Sequence, residues 1–242
     1  MNIDFQWVET DIVYRYSRTA GPECAIADGY PNFKFALRPR TAGQSNLQLE
    51  RGINISKEVI APDGRRRPVV LLRSSPWKAG TETTPWHDEY NLENGTVRYF
   101  GDSKPGSSDQ AHGALGNRGL TALAALFQSD SKAERQLAPP IALFRGESGE
   151  IEGKGHVHKG FIRFVGLGIL ATHSRVRQSD ASGVPFDNIA FDLRLCPLGD
   201  ASGRVDWGWI NDRRDASMPA PVANLRAPFA WRHWIETGQL PA

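Results

Sequence analysis

Short apolar segments recur along this chain, and clusters of Gly, Pro, Asn and Asp separate them. Such segments predict β-strands, because a strand with one buried face needs an apolar residue at every second position. Ile189, Phe191 and Leu193 follow this rule, with the polar Asp192 and Arg194 between and after them. The predicted strands cover residues 69–73, 96–100, 141–144, 161–170 and 189–195.

Two segments have helical periodicity instead. Between Asn117 and Phe127, apolar residues recur three or four positions apart, which predicts an amphipathic helix. A weaker pattern predicts a second helix at 229–236. With 24 glycines and 16 prolines spread through the chain, we expect an α+β, mainly β fold, in which a few helices flank a curved or partly closed sheet.

The polar and then proline-containing stretch at 212–222 has the composition of a connection. We therefore expect one domain over residues 1–210, followed at 211–242 by a linker or by a C-terminal tail or helix. A chain of 242 residues with 40% hydrophobic residues is long enough to form a sizeable core.

The formal net charge is only +2, so attraction to nucleic acid has to come from the distribution of charge. Residues 51–80 carry seven Lys or Arg side chains and two acidic ones, which makes this the most basic segment. Within it, Arg65, Arg66 and Arg67 follow Pro62-Asp63-Gly64. They form either a solvated hairpin tip or a set of phosphate contacts.

Other classes of protein receive little support. The two cysteines, Cys24 and Cys196, are far apart, which favours neither a disulfide framework nor a zinc ribbon. The amino-terminal residues lack the pattern of a signal peptide, and no segment has the length of a membrane span. We therefore expect a cytoplasmic, soluble protein. We also expect no cofactor, since the glycine-rich loops of nucleotide-dependent enzymes are missing from the sequence.

The segment 86–104, WHDEYNLENGTVRYFGDSK, concentrates aromatic and acidic side chains around one turn. Asn94-Gly95 predicts a tight hairpin, because both residues tolerate positive φ. The hairpin would bring Trp86, Asp88, Phe100 and Asp102 close together, along with two tyrosines. Rings that stack on a planar heterocycle and a carboxylate that accepts from its amine suit a nucleobase such as cytosine. Alternatively, the rings point into the core and the aspartates cap turns.

Two metal hypotheses compete with this one. Asp88, Asp102 and Lys104 match the loose Asp and Asp-x-Lys pattern of Mg²⁺-dependent nucleases, although Lys104 would stand at the exit of the strand. His156 and His158 would share a face of an extended segment. Residues 155–160 instead favour a mobile basic loop with a structural or phosphate-contacting role, so we predict no metal site.

Four motifs occur together in the order of a known family: YFGDSKPG at 99–106, GNRGL at 116–120, APPIALF at 138–144 and IRFVGLG at 162–168. Over residues 69–195, the chain resembles the amino-terminal domain of modification-dependent restriction endonucleases of the AspBHI and MspJI type. Two departures are the residues that follow Asp102 and the arginine at position 118.

The resemblance implies an SRA-like (PUA-like) fold, a curved sheet or crescent β-barrel that flips 5-methylcytosine or 5-hydroxymethylcytosine out of duplex DNA. It implies that Trp86 and Tyr99 sandwich the flipped ring, that Asp102 contacts its amine, and that Asp88 adds a polar contact. Phe100 completes the predicted base pocket. The expected contacts to the DNA backbone are Lys104, Asn117, Arg118, Arg65, Arg66, Arg67, Arg73, His158 and Lys159.

Three functional hypotheses follow. The first is a non-catalytic domain that recognises modified cytosine in double-stranded DNA and works with a nuclease domain, which is missing from residues 1–242 or supplied by another polypeptide. The second is a Mg²⁺-dependent endonuclease that uses Asp88, Asp102 and Lys104. The third is a binding module for another modified nucleotide or an RNA base. We expect no membrane partner.

Overall fold

A computed structural model describes residues 5–81, 86–103, 114–199 and 203–241. The strands of this part of the chain are β1 (Trp7–Glu9), β2 (Val13–Arg15), β3 (Ile26–Ala27), β4 (Tyr30–Pro31), β5 (Ile53–Ile55), β6 (Val59–Ala61), β7 (Gly64–Arg66), β8 (Val70–Ser74), β9 (Glu89–Asn91), β10 (Thr96–Phe100), β11 (Ile141–Ile151), β12 (Gly155–Ser179), β13 (Pro185–Leu195) and β14 (Arg204–Asp206). Its helices are α1 (Phe33–Ala36), α2 (Leu115–Gln128), α3 (Lys132–Leu137), α4 (Trp207–Arg213), α5 (Ala220–Ala223) and α6 (Phe229–Thr237).

An eight-stranded mixed sheet organises the fold, in the order β5-β8-β11-β12-β13-β10-β9, with β2 also paired to β12. Strands β8 and β11 run parallel, and the other neighbours run antiparallel. Although β8 and β10 lie near opposite ends of this order, the Tyr99 hydroxyl of β10 donates to the Arg73 carbonyl of β8 at 3.2 Å. The sheet therefore curves until its ends nearly meet, which confirms the predicted mainly β fold with a partly closed sheet.

The longest strand, β12, corrects one sequence-based prediction. Residues 155–160, expected to form a mobile loop, are the first residues of this 25-residue strand. They pair with β11, where His156 lies opposite Glu150 and Gly155 lies opposite Ile151. The glycines suggested a loop, but the turn at 152–154 folds the segment back onto β11, and backbone pairing keeps it extended.

The predicted hairpin is confirmed, with a different turn. Strands β9 and β10 pair antiparallel, with Thr96 opposite Asn91. The loop has four residues, from Leu92 to Gly95, and the Gly95 N–H donates to the Leu92 carbonyl at 3.2 Å. Of the Asn94-Gly95 pair, only Gly95 adopts a positive φ, at 61°. Glycine is favoured there because it has no Cβ to strain this conformation.

Both predicted helices form, as α2 and α6. Helix α2 buries Leu120, Leu123 and Phe127 against the sheet, in the face that the periodicity predicted. No helix in the described residues is long and apolar enough to cross a membrane.

The carboxy-terminal segment is packed rather than extended as a linker. A boundary at residue 210 would cut α4, and Trp209 of α4 joins Trp231 and Trp234 of α6 in the same core as the sheet. Helix α6 thus packs on this core, and the division into a domain at 1–210 and a tail at 211–242 stays a prediction. The prolines that suggested a connection include Pro219 and Pro221, which stand at the start of α5, where proline is well tolerated.

Candidate nucleic-acid interface

A cavity of about 480 Å³ opens where β8 and β10 end and α2 begins. Ligand pockets are typically about 300–1,000 Å³ in volume. All five residues predicted for the base pocket line it: Trp86, Asp88, Tyr99, Phe100 and Asp102. We call it the aromatic cavity. The structure thus gathers these side chains around one opening, while their contact with a base stays a prediction.

Strand β10 supplies rings to the cavity from both of its faces. Neighbouring residues of a strand point to opposite sides, so Tyr99 and Phe100 diverge. Tyr99 joins the main core, whereas Phe100 packs in a second apolar cluster with Trp86 and Phe186. The ring centroids of Trp86 and Phe186 are 6.0 Å apart. Trp86 and Phe100 each remain 9% exposed, so packing fixes these rings while part of each stays open to a ligand.

Two neighbouring elements hold Asp102 in place. Its N–H donates to Asn117 Oδ1 of α2 at 2.9 Å, and the Ile53 N–H of β5 donates to Asp102 Oδ2 at 3.4 Å. Gly52 allows this approach, because a Cβ at that position would lie 2.4 Å from Asp102 Oδ1 and 2.7 Å from the Tyr99 hydroxyl. Ile53 lies 49 positions before Asp102 and Asn117 lies 15 positions after it. Asp102 is thereby positioned by distant residues and not by its own hairpin alone.

Asp88 is the second carboxylate in the cavity wall. Its Oδ1 accepts a hydrogen bond of 2.9 Å from the Phe100 N–H. Burial raises the pKa of Asp88 to about 6, and the negative charge of Asp102 acts in the same direction. Asp88 therefore changes its charge close to neutral pH, unlike an ordinary aspartate.

Charges around the aromatic cavity differ with depth. Arg51 and Lys78 line it and are exposed, Arg73 is half-buried, and the acids Asp88 and Asp102 are half-buried between the rings. Cations at the opening suit phosphates, and acids inside suit the amine of a base. Arg51 and Lys78 were not singled out from the sequence, although the charge excess of residues 51–80 contained the signal.

The predicted DNA contacts Arg118, His158 and Lys159 have exposed side chains. Arg118 lies in the first turn of α2, whose start lines the aromatic cavity. The His158 ring is 6.2 Å from the ring of Trp77. Ser75, Lys78 and Ala79, which are close to Trp77 in sequence, line the cavity. Arg118 and His158 can therefore face a duplex docked over the opening, and the DNA contacts of all three side chains stay predictions.

The remaining arginines of the prediction differ in accessibility. Arg73 lines the cavity and donates to the Leu49 carbonyl at 3.2 Å. Arg65 is exposed and paired with Glu58 at 3.0 Å. Arg67 is half-buried and donates to the Ser56 carbonyl at 2.6 Å. Arg73 is thus the one among these three that borders the cavity.

Two predicted phosphate contacts are corrected by the structure. Asn117 is fully buried. Its amide oxygen accepts from the Asp102 N–H, and its amide nitrogen donates to the Ser103 hydroxyl. The Arg66 side chain is also buried, and its three nitrogens donate to the carbonyls of residues 213, 215 and 218. Neither side chain reaches a phosphate from these positions. Lys104, which both the phosphate and the nuclease hypotheses use, lies outside the described residues.

The histidine pair lies on an ordered strand. The ring centroids of His156 and His158 are 4.7 Å apart, and His156 Nδ1 lies 3.0 Å from Glu150 Oε1. Glu150, six residues before His156, is a nearby acidic partner that the sequence analysis overlooked. Within the described ranges, no group of three or more His, Cys, Asp or Glu side chains is arranged to hold a metal ion.

Comparison with protein families gives one match. Residues 63–242 match the family model described as restriction endonuclease AspBHI N-terminal. A search of curated protein sequences gives no significant match.

Solved structures show the same similarity in three dimensions. The MspJI restriction endonuclease in complex with a 27-mer oligonucleotide is 39% identical, with a TM-score of 0.85 over 95% of this chain. The DNA recognition domain of the cytosine modification-dependent restriction endonuclease LpnPI is 17% identical, with a TM-score of 0.63 over 97% of this chain and 89% of that domain. The DNA modification-dependent restriction endonuclease AspBHI is 20% identical, with a TM-score of 0.60 over 96% of this chain. The expected SRA-like fold is thereby confirmed. The chain spans 51% of the MspJI chain and 51% of the AspBHI chain.

Proposed function

The chain belongs to the restriction endonuclease AspBHI N-terminal family, and from this premise we propose that it recognises modified cytosine in double-stranded DNA. In this proposal, 5-methylcytosine or 5-hydroxymethylcytosine leaves the duplex and enters the aromatic cavity. Trp86 and Tyr99 flank the base, Phe100 closes the pocket, and Asp102 accepts from the exocyclic amine.

The observation that carries the proposal is the combination of rings, acids and cations at one opening. Trp86 and Tyr99 approach the cavity from different apolar clusters, and Asp102 is fixed between β5 and α2. Arg51 and Lys78 at the opening supply positive charge for the phosphates on either side of a flipped nucleotide. A site with this order of charges matches an extruded base better than it matches a free anion.

The energies are consistent with base flipping. Extruding a base costs a few kcal/mol, and stacking on aromatic rings returns about 1–3 kcal/mol for each base. Burying one methyl group adds only about 1 kcal/mol. Strong discrimination against unmodified cytosine therefore also depends on unmodified cytosine staying stacked and paired in the duplex.

The relatives support the same proposal. The MspJI structure, at 39% identity, contains an oligonucleotide, and the AspBHI and LpnPI enzymes are described as dependent on DNA or cytosine modification. Since this chain spans about half of MspJI, we assign cleavage to a nuclease domain outside residues 1–242, in the same polypeptide or in another one.

A fluorescence assay tests base extrusion directly. A duplex carries 2-aminopurine next to a single 5-methylcytosine, so that loss of stacking raises its emission. We expect emission to rise on addition of the protein, to rise less with the unmodified duplex, and to stay low with Asp102→Ala. Equal emission from both duplexes with the wild-type protein would contradict the proposal.

Competition separates the remaining hypotheses. Unlabelled methylated duplex should displace the labelled one, whereas methylated RNA and the free nucleoside should not. Displacement by RNA or nucleoside at equal concentration would favour a different nucleotide ligand. Cleavage of the methylated duplex in Mg²⁺, lost in Asp102→Ala, would favour the nuclease hypothesis.

A further inference from the structure

We propose that Asp88 binds the flipped base as a neutral carboxylic acid and donates a hydrogen bond to the cytosine ring nitrogen N3, while Asp102 accepts from the N4 amine. The aromatic cavity then takes up a proton when it binds modified DNA. This inference rests on the proposed function and adds a proton requirement to it.

Asp88 has two hydrogen-bond partners in the cavity wall, the Phe100 N–H and the Ser74 side chain. Oδ1 accepts from the Phe100 N–H at 2.9 Å, so this atom has to remain an acceptor. A carboxylic acid satisfies that bond with its carbonyl oxygen and carries its proton on Oδ2. Asp88 and Ser74 both line the cavity, and the Ser74 hydroxyl can rotate to donate or accept when a base enters.

The chemistry of cytosine requires a donor in the pocket. Its pairing edge offers the N4 amine as a donor and the ring nitrogen N3 as an acceptor, and flipping removes both from their guanine partners. Asp102 matches the amine. An ionised Asp88 would place a second acceptor against the N3 lone pair, and a buried polar atom without a partner costs affinity. A protonated Asp88 supplies the missing donor.

The surroundings of Asp88 favour the neutral form. Burial is the main cause that raises its pKa, and the neighbouring Asp102 adds to it. Two close carboxylates do not ionise as readily as one, which assigns them different roles. A bound base would exclude more water and strengthen both effects.

The other ionisable groups facing Asp88 come from several elements. The phenols of Tyr90 and Tyr99 interact with it, and burial raises the pKa of each, so both stay neutral. His87, next to it in sequence, favours ionised Asp88 through its own charge. The cavity wall also contains Glu50, Arg51, Arg73 and Lys78. Histidine ordinarily titrates in the same range, so His87 needs its own control.

The test is the ratio of affinities for a methylated and an unmodified duplex, measured from pH 5.5 to 8 at constant salt. Phosphate contacts and surface histidines affect both duplexes and cancel in the ratio, because the unmodified cytosine stays stacked. For the wild-type protein we expect the ratio to fall by up to about tenfold for each pH unit above the pKa of Asp88. A constant ratio over this range would overturn the inference.

Asp88→Asn is the decisive variant. The amide oxygen can accept from the Phe100 N–H, and the amide nitrogen can donate to N3 without titrating. We expect this variant to keep its preference for the methylated duplex at pH 8 and to lose the pH dependence. A wild-type pH dependence in Asp88→Asn, or loss of its preference while its circular dichroism stays native, would overturn the inference.

Two further comparisons complete the design. His87→Gln should keep the wild-type pH dependence of the affinity ratio. A ratio that does not vary with pH in this variant would assign the pH dependence to His87 and overturn the role of Asp88. If the wild-type protein shows no preference at any pH, the proposed function itself fails. If it shows a preference that does not vary with pH, only the role of Asp88 fails.

Discussion

Two regions of this molecule hold buried or half-buried charge, and they do so in different ways. The arginine cluster, formed by Arg66, Arg213 and Arg214, joins the carboxy-terminal helices to the rest of the fold. Arg213 donates to five backbone carbonyls and to the amide oxygen of Asn224. Burial lowers its pKa to about 9, and the neighbouring Arg66 acts in the same direction, yet the guanidinium stays charged at neutral pH.

The aromatic cavity holds its acidic side chains at an opening rather than inside the core. Asp88 has hydrogen bonds with the Phe100 N–H and with Ser74, and both Asp88 and Ser74 stand in a wall that opens to solvent. Arg66 and Arg213 use all three of their side-chain nitrogens on protein oxygens, which indicates a structural role, because nothing is left for a ligand. Carboxylates beside an open cavity indicate a binding role. The following variants test this distinction.

The largest effect is expected for Arg213→Met. Its carbonyl partners would lose their donors inside the core, which costs about 3–5 kcal/mol of the free energy of unfolding. Urea denaturation measures this loss. The exposed Arg232→Met should change the same free energy by less than about 0.5 kcal/mol. Similar stabilities for the two variants would contradict a structural role for the cluster.

Asp88→Asn should increase the free energy of unfolding at neutral pH, whereas Arg213→Met should decrease it. The folded protein holds the Asp88 proton with a pKa of about 6, against an ordinary value of 3.8. The contribution of Asp88 to the free energy of unfolding is therefore fully present below pH 3.8 and is lost as pH rises through about 6. At about 1.4 kcal/mol for each pKa unit, the loss is at most about 3 kcal/mol.

We thus expect Asp88→Asn to become more stable than the wild-type protein as pH rises from 4 to 7. Asp187→Asn is the matched control, because Arg177 and Arg175 hold the pKa of Asp187 below its ordinary value. Its carboxylate contributes stability above pH 3.8, and this contribution is lost as pH falls through the folded pKa. A gain in stability at neutral pH for Asp187→Asn, or none for Asp88→Asn, would refute this electrostatic description.

Trp86→Ala should weaken binding of methylated duplex by about 1–3 kcal/mol, since it removes one stacking surface. Binding of the unmodified duplex should change little. Trp77→Ala is a useful control, because Trp77 is 37% exposed and is not among the side chains that line the cavity. Equal losses for both duplexes in Trp86→Ala would mean that this ring does not contact the modified base.

The smallest effect is expected for the cations at the opening. Arg51→Ala and Lys78→Ala should weaken binding of both duplexes to the same extent. Each should reduce the slope of log affinity against log salt concentration by about 1. Arg66 should not be used for this test, because its substitution disturbs the arginine cluster. An unchanged slope in both variants would move the phosphate contacts elsewhere.

Local sequence predicted the aromatic cavity well, because its main parts lie close together along the chain. Trp86, Asp88, Phe100 and Asp102 flank one hairpin, and the Gly95 turn brings the two sides together. Alternation along β10 and the periodicity of α2 were equally visible. These features depend on neighbours a few residues apart, which a pattern of apolar and polar positions records.

Two of the errors share a physical cause. Arg66 and Asn117 were expected on the surface because charged and amide side chains usually lie there. Their burial depends on partners far along the chain, such as residues 213–218 for Arg66. Sequence composition gives the preference of a residue, whereas these long-range contacts decide its environment. The error at 155–160 is local instead, because glycines obscured a hairpin whose other strand, β11, ends at Ile151.

The central claim is that the aromatic cavity holds one modified cytosine. The most direct measurement is a titration of matched duplexes that carry cytosine, 5-methylcytosine or 5-hydroxymethylcytosine at one position, with the wild-type protein and with Asp102→Ala. The account predicts tighter wild-type binding to at least one modified duplex, and equal, salt-dependent binding of all three by Asp102→Ala. Equal wild-type affinities for the three duplexes, or an unchanged preference in Asp102→Ala, would contradict it.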